Sequence, residues 1–389
     1  MWRREQPKRR AAPQCAQRTT RGRLMPWRQC GLWEQARQCN VDEDGVVQFV
    51  DLFSGIGGAT QGAREAGLRP VLAVDGCEHA CRVYAQNHPE VTQICATLPL
   101  EGDAPLPLPR SPTDAGVARW HLHGSPPCTK LSKANQQREA GARADALALV
   151  RWFLELALHS SASSWSMEQV YTPALARLLT ATRARSAWHR ARLDFVVVNM
   201  ATLGLPTYRR RILAGSPRFV AAVRRLQPRR RTICDVLPDM RGTHVRHEVV
   251  WSTPLPLGDS VADAALPITH VRTPFSTRYA YRYYGPDELC RPVDAIAPCI
   301  TARHPLRWAT PGTNTPLRRM SPRETALLQS FPAGYALDAQ VQRANRGIGN
   351  AMPPFIMRRA LEELGRAEGC YGARSCQRAN RGIGNATPP

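Results

Sequence analysis

The chain has 389 residues, 43% of them hydrophobic, enough for a sizeable core and too many for a disordered chain. It contains no run of 18 apolar residues, so no membrane-spanning helix is expected. Fifty-three basic against 31 acidic residues leave +22, a balance suited to a polyanionic partner.

Part of the arginine excess is compositional: Lys8, Lys130 and Lys133 are the only lysines, and Ala, Pro and Gly are abundant, as a GC-rich coding sequence produces. The 12 cysteines are scattered without paired CxxC spacings, so no metal site is expected, and a reduced intracellular compartment is the simplest reading. That compartment would be the nucleus if the source is eukaryotic and the cytoplasm if it is bacterial. A monomer is expected.

Residues 1–45 form a basic N-terminal extension without a signal-peptide core. It reads as disordered, with a DNA-binding arm or a transit peptide as the functional alternatives. Regular structure should begin at Val46: residues 46–52 read as a buried strand, followed by Phe53-Ser54-Gly55-Ile56-Gly57-Gly58 and a helix over 59–66. Residues 70–75 read as a second strand and 78–87 as a second helix. Strands alternating with helices indicate a mostly parallel α/β sheet. Residues 98–118 are proline-rich and read as a surface loop, and 120–123 as a strand running into Ser125-Pro126-Pro127-Cys128.

Over 142–158, Leu147, Val150, Leu154 and Leu158 share one helical face. Residues 195–198 and 211–214 read as further strands. These elements assign 46–215 to a catalytic and cofactor-binding domain. Residues 216–300 lose the alternation and read as a small separate domain. The chain then returns to the first domain over 301–365, where Ser321 and Glu324 have capping-box spacing. The tail, 366–389, repeats an earlier segment: residues 342–354 read QRANRGIGNAMPP and 377–389 read QRANRGIGNATPP. The first copy runs into an amphipathic helix over 355–364 and is taken as the functional one; the second lacks that helix and reads as a duplication.

Four segments could carry chemistry. Asp51 to Gly58 lies at a strand-to-helix turn, where glycines allow close backbone approach to a cofactor and free N–H groups face an anion. Asp75 ends the second strand, a position from which an acid reaches ribose hydroxyls. Both features also fit a plain tight turn or a nicotinamide-binding site. Ser125-Pro126-Pro127-Cys128 presents one cysteine at the carboxyl end of a strand, though a buried structural cysteine looks the same. Met167-Glu168-Gln169-Val170 and Tyr208-Arg209-Arg210-Arg211 are read with equal reserve as surface.

Taken together and in this order, these segments resemble the DNA (cytosine-5) methyltransferase family. DLFSGIGG is similar to its cofactor loop, SPPC to its nucleophile loop, and EQV to its Glu-Asn-Val segment. Residues 199–211 resemble its Gln-x-Arg-x-Arg stretch. Residues 318–332 and 346–351 resemble its last two blocks. The resemblance implies a Rossmann-like S-adenosylmethionine-dependent fold with an inserted target-recognition domain, acting on double-stranded DNA. Cys128 would attack C6 of a flipped cytosine, and protonated Glu168 would hydrogen-bond its N3 and amine. Arg209 and Arg211 would hold the base O2 and the neighbouring loop. Asp51, Phe53, Ser54, Gly55, Gly57, Gly58, Asp75 and Asn350 would bind S-adenosyl-L-methionine, with Gly55, Gly57, Gly58 and Asn350 at its methionine end. The helix over 355–364 would return beside the cofactor loop.

Within 216–300, Arg224, Arg225, Arg229, Arg230 and Arg231 are candidates for DNA contacts, and Tyr279, Tyr281, Tyr283 and Tyr284 read as core of the small domain. Several positions depart from the family pattern. Gln169 replaces Asn, Thr207 replaces Gln, Gly76 stands where a bulky residue is usual, and Ala96 lacks the acid for the adenine amine. Asp103 is a poorly aligned substitute for that acid. Weaker cofactor binding is therefore expected. The alternatives are the branch of the family that methylates tRNA and a catalytically inactive DNA-binding relic.

Overall fold

The computed structural model describes residues 46–100, 105–109, 119–127, 140–240, 244–247, 290–302, 306–309 and 316–368. Seven strands form the main sheet: β1 (Gln48–Leu52), β2 (Arg69–Asp75), β3 (Thr92–Cys95), β4 (Trp120–Gly124), β5 (Ser164–Val170), β6 (Asp194–Asn199) and β7 (Arg210–Gly215). Their order is β3-β2-β1-β4-β5-β7-β6. Pairings from β3 through β5 are parallel, and only β7 runs against its neighbours.

The helices are α1 (Gly58–Glu65), α2 (Glu78–Asn87), α3 (Ala140–His159), α4 (Pro173–Ala184), α5 (Ala187–Arg192), α6 (Pro217–Arg225), α7 (Pro322–Leu328), α8 (Val341–Asn350) and α9 (Pro354–Glu368). Parallel strands require crossovers that cover both faces of the sheet. One face packs Leu52, Val74, Trp120 and Met167 against Phe153 and Leu154 of α3 and Leu175 and Leu179 of α4. The other packs Phe49 and Leu213 against α1, α6 and α9 through Ala63, Phe219, Val220, Ile356 and Leu361. β1 is buried along its whole length, as a strand covered on both faces must be. The last helix, α9, lies along α1 and α6, returning beside the loop that precedes α1.

A second, antiparallel sheet has the order β11-β10-β8-β9, built from β8 (His244–His247), β9 (Cys290–Pro292), β10 (Leu306–Ala309) and β11 (Pro316–Arg319). It takes strands from both sides of residue 300. Ile233, Val293 and Ile300 share one apolar cluster with Trp308, Met320, Phe331 and Ile348, so this sheet is seated on α7 and α8. The capping box is present at Ser321 and Glu324, and Glu324 also binds Arg318 at 2.7 Å.

Most elements in the chain's first part match the sequence expectation to within two residues. The sequence expectation lacks β3 and three helices that start at Ser or Thr: Thr172 before Pro173 starts α4, Ser186 starts α5, and Ser216 before Pro217 starts α6, where Pro217 and not a side-chain cap bond marks the start. The first copy of the repeat is itself helical, as α8. The second copy, residues 1–45, Asp103 and Tyr279, Tyr281, Tyr283 and Tyr284 lie outside the described residues. No described helix is long and apolar enough to cross a membrane.

Candidate active site

The carboxyl ends of β1, β2, β4 and β5 open on one side of the sheet, where α/β folds place ligands. After β1 the chain turns sharply, with positive φ at Phe53 (58°), Gly55 (56°) and Gly57 (91°). Asp75, at the end of β2, ties this turn down: Oδ2 accepts the Gly55 N–H and Oδ1 the Cys77 N–H, both at 2.8 Å. Burial pushes its carboxyl up from the ordinary range. Asp51 accepts the Thr60 hydroxyl at 2.6 Å, and burial pushes its carboxyl up to about 7.

A cavity of about 350 Å³ opens here, lined by Asp51, Phe53, Ser54, Gly55, Asp75 and Asn350 on one side and by Ser125, Pro126, Pro127, Glu168 and Gln169 on the other. Asp51 Oδ1 and Ser54 Oγ are buried in its wall without a hydrogen-bond partner among the described residues. Together an orphaned carboxylate oxygen and an orphaned hydroxyl suit the ammonium and carboxylate of an amino-acid group. Phe53, edge-on to Trp152 at 6.0 Å, offers an aromatic wall.

Gly57 and Gly58 are not among the lining residues. A Cβ at Gly57 would fall 2.7 Å from His88 Nε2, and one at Gly58 would fall 2.2 Å from the Met352 carbonyl. Their role is to let the loop and α1 pack against His88 and the chain before α9, which corrects the expectation that they line the methionine end. Gly76, which is exposed, abuts Thr97, whose Oγ1 would lie 2.9 Å from an added Cβ, so a side chain there would have to displace Thr97.

Glu168 is buried at the end of β5. Its Oε1 lies 2.7 Å from Arg211 Nε and 3.7 Å from Arg209 Nη2. Arg209 is only 1% exposed and donates to the carbonyls of Gly349 (3.0 Å) and Ala351 (2.8 Å), clamping the turn that carries Asn350. Gln169, the departure from Asn, donates from Nε2 to the Pro126 carbonyl at 2.8 Å while its Oε1 accepts the Val170 N–H. It thereby holds the loop that leads to Cys128. Cys128 itself lies outside the described residues, and is the next residue in the chain after Pro127. Thr207 is fully buried, pairing with Ala297 as the chain passes towards the second sheet.

The polar character of β5, unexpected for a central strand, has a structural partner. His121 and His123 on β4 stand in register with Ser164 and Ser166 on β5. Burial holds both imidazoles at about 3, and His88 at about 4. In the unfolded chain these groups take up protons near pH 6.5, whereas the folded state resists them, so acidification below about 6.5 favours unfolding. Each costs about 1.4 kcal/mol per pH unit. Asp51 acts oppositely, stabilising at low pH and losing that contribution as pH rises through about 7. Three imidazoles outweigh one carboxyl, so melting at pH 5 should fall below melting at pH 7. A melting temperature that rises on acidification would mean that the imidazoles are solvated.

Of the basic candidates, Arg224 binds Asp194 at 2.6 Å and Arg225 binds Glu363 at 2.9 Å, both on α6. Arg229 and Arg231 lie 5.8 Å from the Phe355 ring, with Arg358 and Arg359 on the same ring at 5.4 and 5.8 Å. Arg230 is exposed. No cluster of metal-ligating side chains occurs among the described residues.

Comparison with known proteins gives consistent matches. The family model for C-5 cytosine-specific DNA methylases matches residues 47–152 and 245–366. The Type II methyltransferase M.HgiDI of Herpetosiphon aurantiacus is 25% identical over 320 residues, which span 79% of this chain and 90% of that protein. M.AplI of Arthrospira platensis is 25% identical over 356 residues, 84% of this chain and 88% of that protein. Among solved structures, a protein described as a DNA modification methyltransferase encoded within an E. coli prophage superposes with a TM-score of 0.51 at 18% identity. The match covers 83% of this chain and 99% of that one, a likeness of fold.

Proposed function

From the premise that this chain belongs to the C-5 cytosine-specific DNA methylase family, and so is a DNA (cytosine-5) methyltransferase that uses S-adenosylmethionine, we propose that it works through a covalent adduct of Cys128 on a flipped cytosine. The observation that carries this reading is the shared cavity: the Asp51–Gly55 turn, the Ser125–Pro127 loop that runs into Cys128, and Glu168 all face one space.

S-adenosylmethionine, when bound, supplies an electrophilic methyl group. Its amino-acid end fits the unpartnered Asp51 Oδ1 and Ser54 Oγ, and its ribose fits Asp75. The Cys128 thiolate would add to cytosine C6 and make C5 nucleophilic; after methyl transfer, loss of the C5 proton expels the thiolate. Glu168 would hydrogen-bond the base at N3 and the exocyclic amine. Arg211, 2.7 Å away, fixes the orientation of that carboxyl group. The chemistry needs the base outside its stack. The substrate is double-stranded DNA and the working compartment intracellular.

The test is methyl transfer from labelled S-adenosylmethionine to genomic DNA and to total tRNA, with wild type and Cys128→Ser. Label in DNA that disappears in the variant is the expected result. Label in tRNA alone would reassign the substrate, and binding of both ligands without transfer would mark an inactive relic.

A further inference from the structure

β4 and β5 carry a buried row of alternating hydroxyls and imidazoles that the reaction as described does not use. Successive residues of a strand point to opposite faces, so His121, His123 and Ser125 fall on one side of β4 and its extension, and Ser164, Ser166 and Glu168 on the matching side of β5. The hydrogen bonds run without a break. Ser164 Oγ meets His121 Nδ1 at 2.7 Å, and His121 Nε2 meets Ser166 Oγ at 2.8 Å. Ser166 Oγ then meets His123 Nδ1 at 2.8 Å, and His123 Nε2 meets Ser125 Oγ at 3.0 Å. Phe49 stacks on both rings at 5.7 and 6.1 Å, and Phe219 packs on His121 at 5.7 Å, so apolar rings surround the imidazoles.

Proton counting fixes the direction of this chain. With both imidazoles neutral, the five groups hold five protons for four hydrogen bonds, so one hydroxyl proton is left over. It can reside on Ser164, Ser166 or Ser125. Ser164 is 5% exposed and Ser166 1%, and neither has another partner among the described residues, so a spare O–H on either would be a buried, unpaired donor. Ser125 alone lines the cavity.

We propose that this row is a polarising relay which presets the Ser125 hydroxyl as a hydrogen-bond donor into the active-site cavity, towards an oxygen acceptor of a bound reactant. Ser164, His121, Ser166 and His123 are positioning residues; Ser125 makes the contact. The relay does not store a proton, because burial holds both imidazoles neutral near neutral pH and no carboxylate among the described residues is hydrogen-bonded to either ring. Two acceptors have the required chemistry: the methionine carboxylate of the cofactor and the carbonyl of the base. This inference rests on the proposed reaction only for the identity of the acceptor.

The direction of the relay is testable without activity. Nitrogen-15 spectra of the imidazoles, assigned with His121→Gln and His123→Gln, should show both rings as neutral Nε2–H tautomers at pH 7. An Nδ1–H tautomer at either ring would overturn the proposal. In a second arm, Ser125→Ala should weaken S-adenosylmethionine binding about tenfold if the carboxylate is the acceptor. If the base is the acceptor, it should instead lower single-turnover methyl transfer about tenfold at unchanged cofactor affinity. Ser125→Thr should restore either loss.

Ser166→Ala should reproduce the Ser125→Ala defect and add nothing to it in the double variant, the signature of two residues acting through one contact. Wild-type affinity and rate in Ser125→Ala, or additive losses in the double variant, would leave the row a packing feature. A wild-type protein that transfers no methyl group would remove the proposed reaction, and the tautomers would still decide the relay.

Discussion

Glu168→Gln should lower the single-turnover rate of methyl transfer about a thousandfold while leaving cofactor affinity nearly unchanged. Positioned general acid–base groups contribute about 100- to 10,000-fold to such steps, and an amide cannot exchange a proton with the ring as its charge develops. The side chain is buried at the C-terminal end of β5, with its Oε1 2.7 Å from Arg211 Nε. That ion pair makes the choice of substitution matter. Glu168→Ala would leave Arg211 and Arg209 facing an empty site, and breaking one side of a buried pair costs about 3–5 kcal/mol, so lost activity would be confounded with lost stability. Glutamine keeps the shape and an acceptor for Arg211. Retention of activity to within tenfold in Glu168→Gln would show that the carboxylate serves as a counter-ion for the two arginines and that the base is activated elsewhere.

The elements legible in the sequence are those whose local chemistry agrees with their final environment. β1, α2 and the turn between β1 and α1 follow from buried-strand patterning and glycines, and Ser321 and Glu324 formed the capping box that their spacing demanded. β5 was harder to read because Ser164 and Ser166 are polar in a strand covered on both faces. Their partners lie 43 residues earlier on β4, a pairing that no local pattern contains. α4 to α6 were missed although each begins at a Ser or Thr cap, because the apolar faces of α4 and α6 complete themselves only against the sheet and α9. The second sheet joins β8 to β10, whose paired residues Leu306 and His247 lie 59 positions apart in the chain.

The same holds within the site. Proximity of Asp51, Asp75, Glu168 and Asn350 follows from the family-like order of motifs, but the duties of single residues do not. Gly57 and Gly58 are conformational and packing residues. Gln169 reaches the Pro126 carbonyl with its longer side chain, so this departure holds the loop that runs into Cys128 rather than releasing it. Arg224 and Arg225, read as candidates for DNA contact, are paired with Asp194 and Glu363 on the α6 side of the sheet.

Arg209 makes the strongest structural prediction. Its guanidinium reaches from the residue just before β7 to the junction of α8 and α9, where Nη1 and Nη2 donate to the carbonyls of Gly349 and Ala351, the residues on either side of Asn350. A planar fork with fixed donors can serve two carbonyls at once, whereas an ammonium is a single point charge. Arg209→Met should therefore destabilise the protein by about 2–4 kcal/mol in urea unfolding, since two buried carbonyls lose their donor while Glu168 keeps Arg211. Arg209→Lys should recover part of that loss by restoring the charge. Because the released turn carries Asn350 into the cavity wall, S-adenosylmethionine affinity by calorimetry should fall about tenfold in both variants, before any effect on chemistry is considered. If Arg209→Met unfolds at the wild-type urea concentration and binds the cofactor normally, yet transfers methyl groups slowly, the guanidinium acts on the base rather than on the turn. The sequence-based assignment of Arg209 to the base O2 would then stand, and the two carbonyl contacts would be incidental to it.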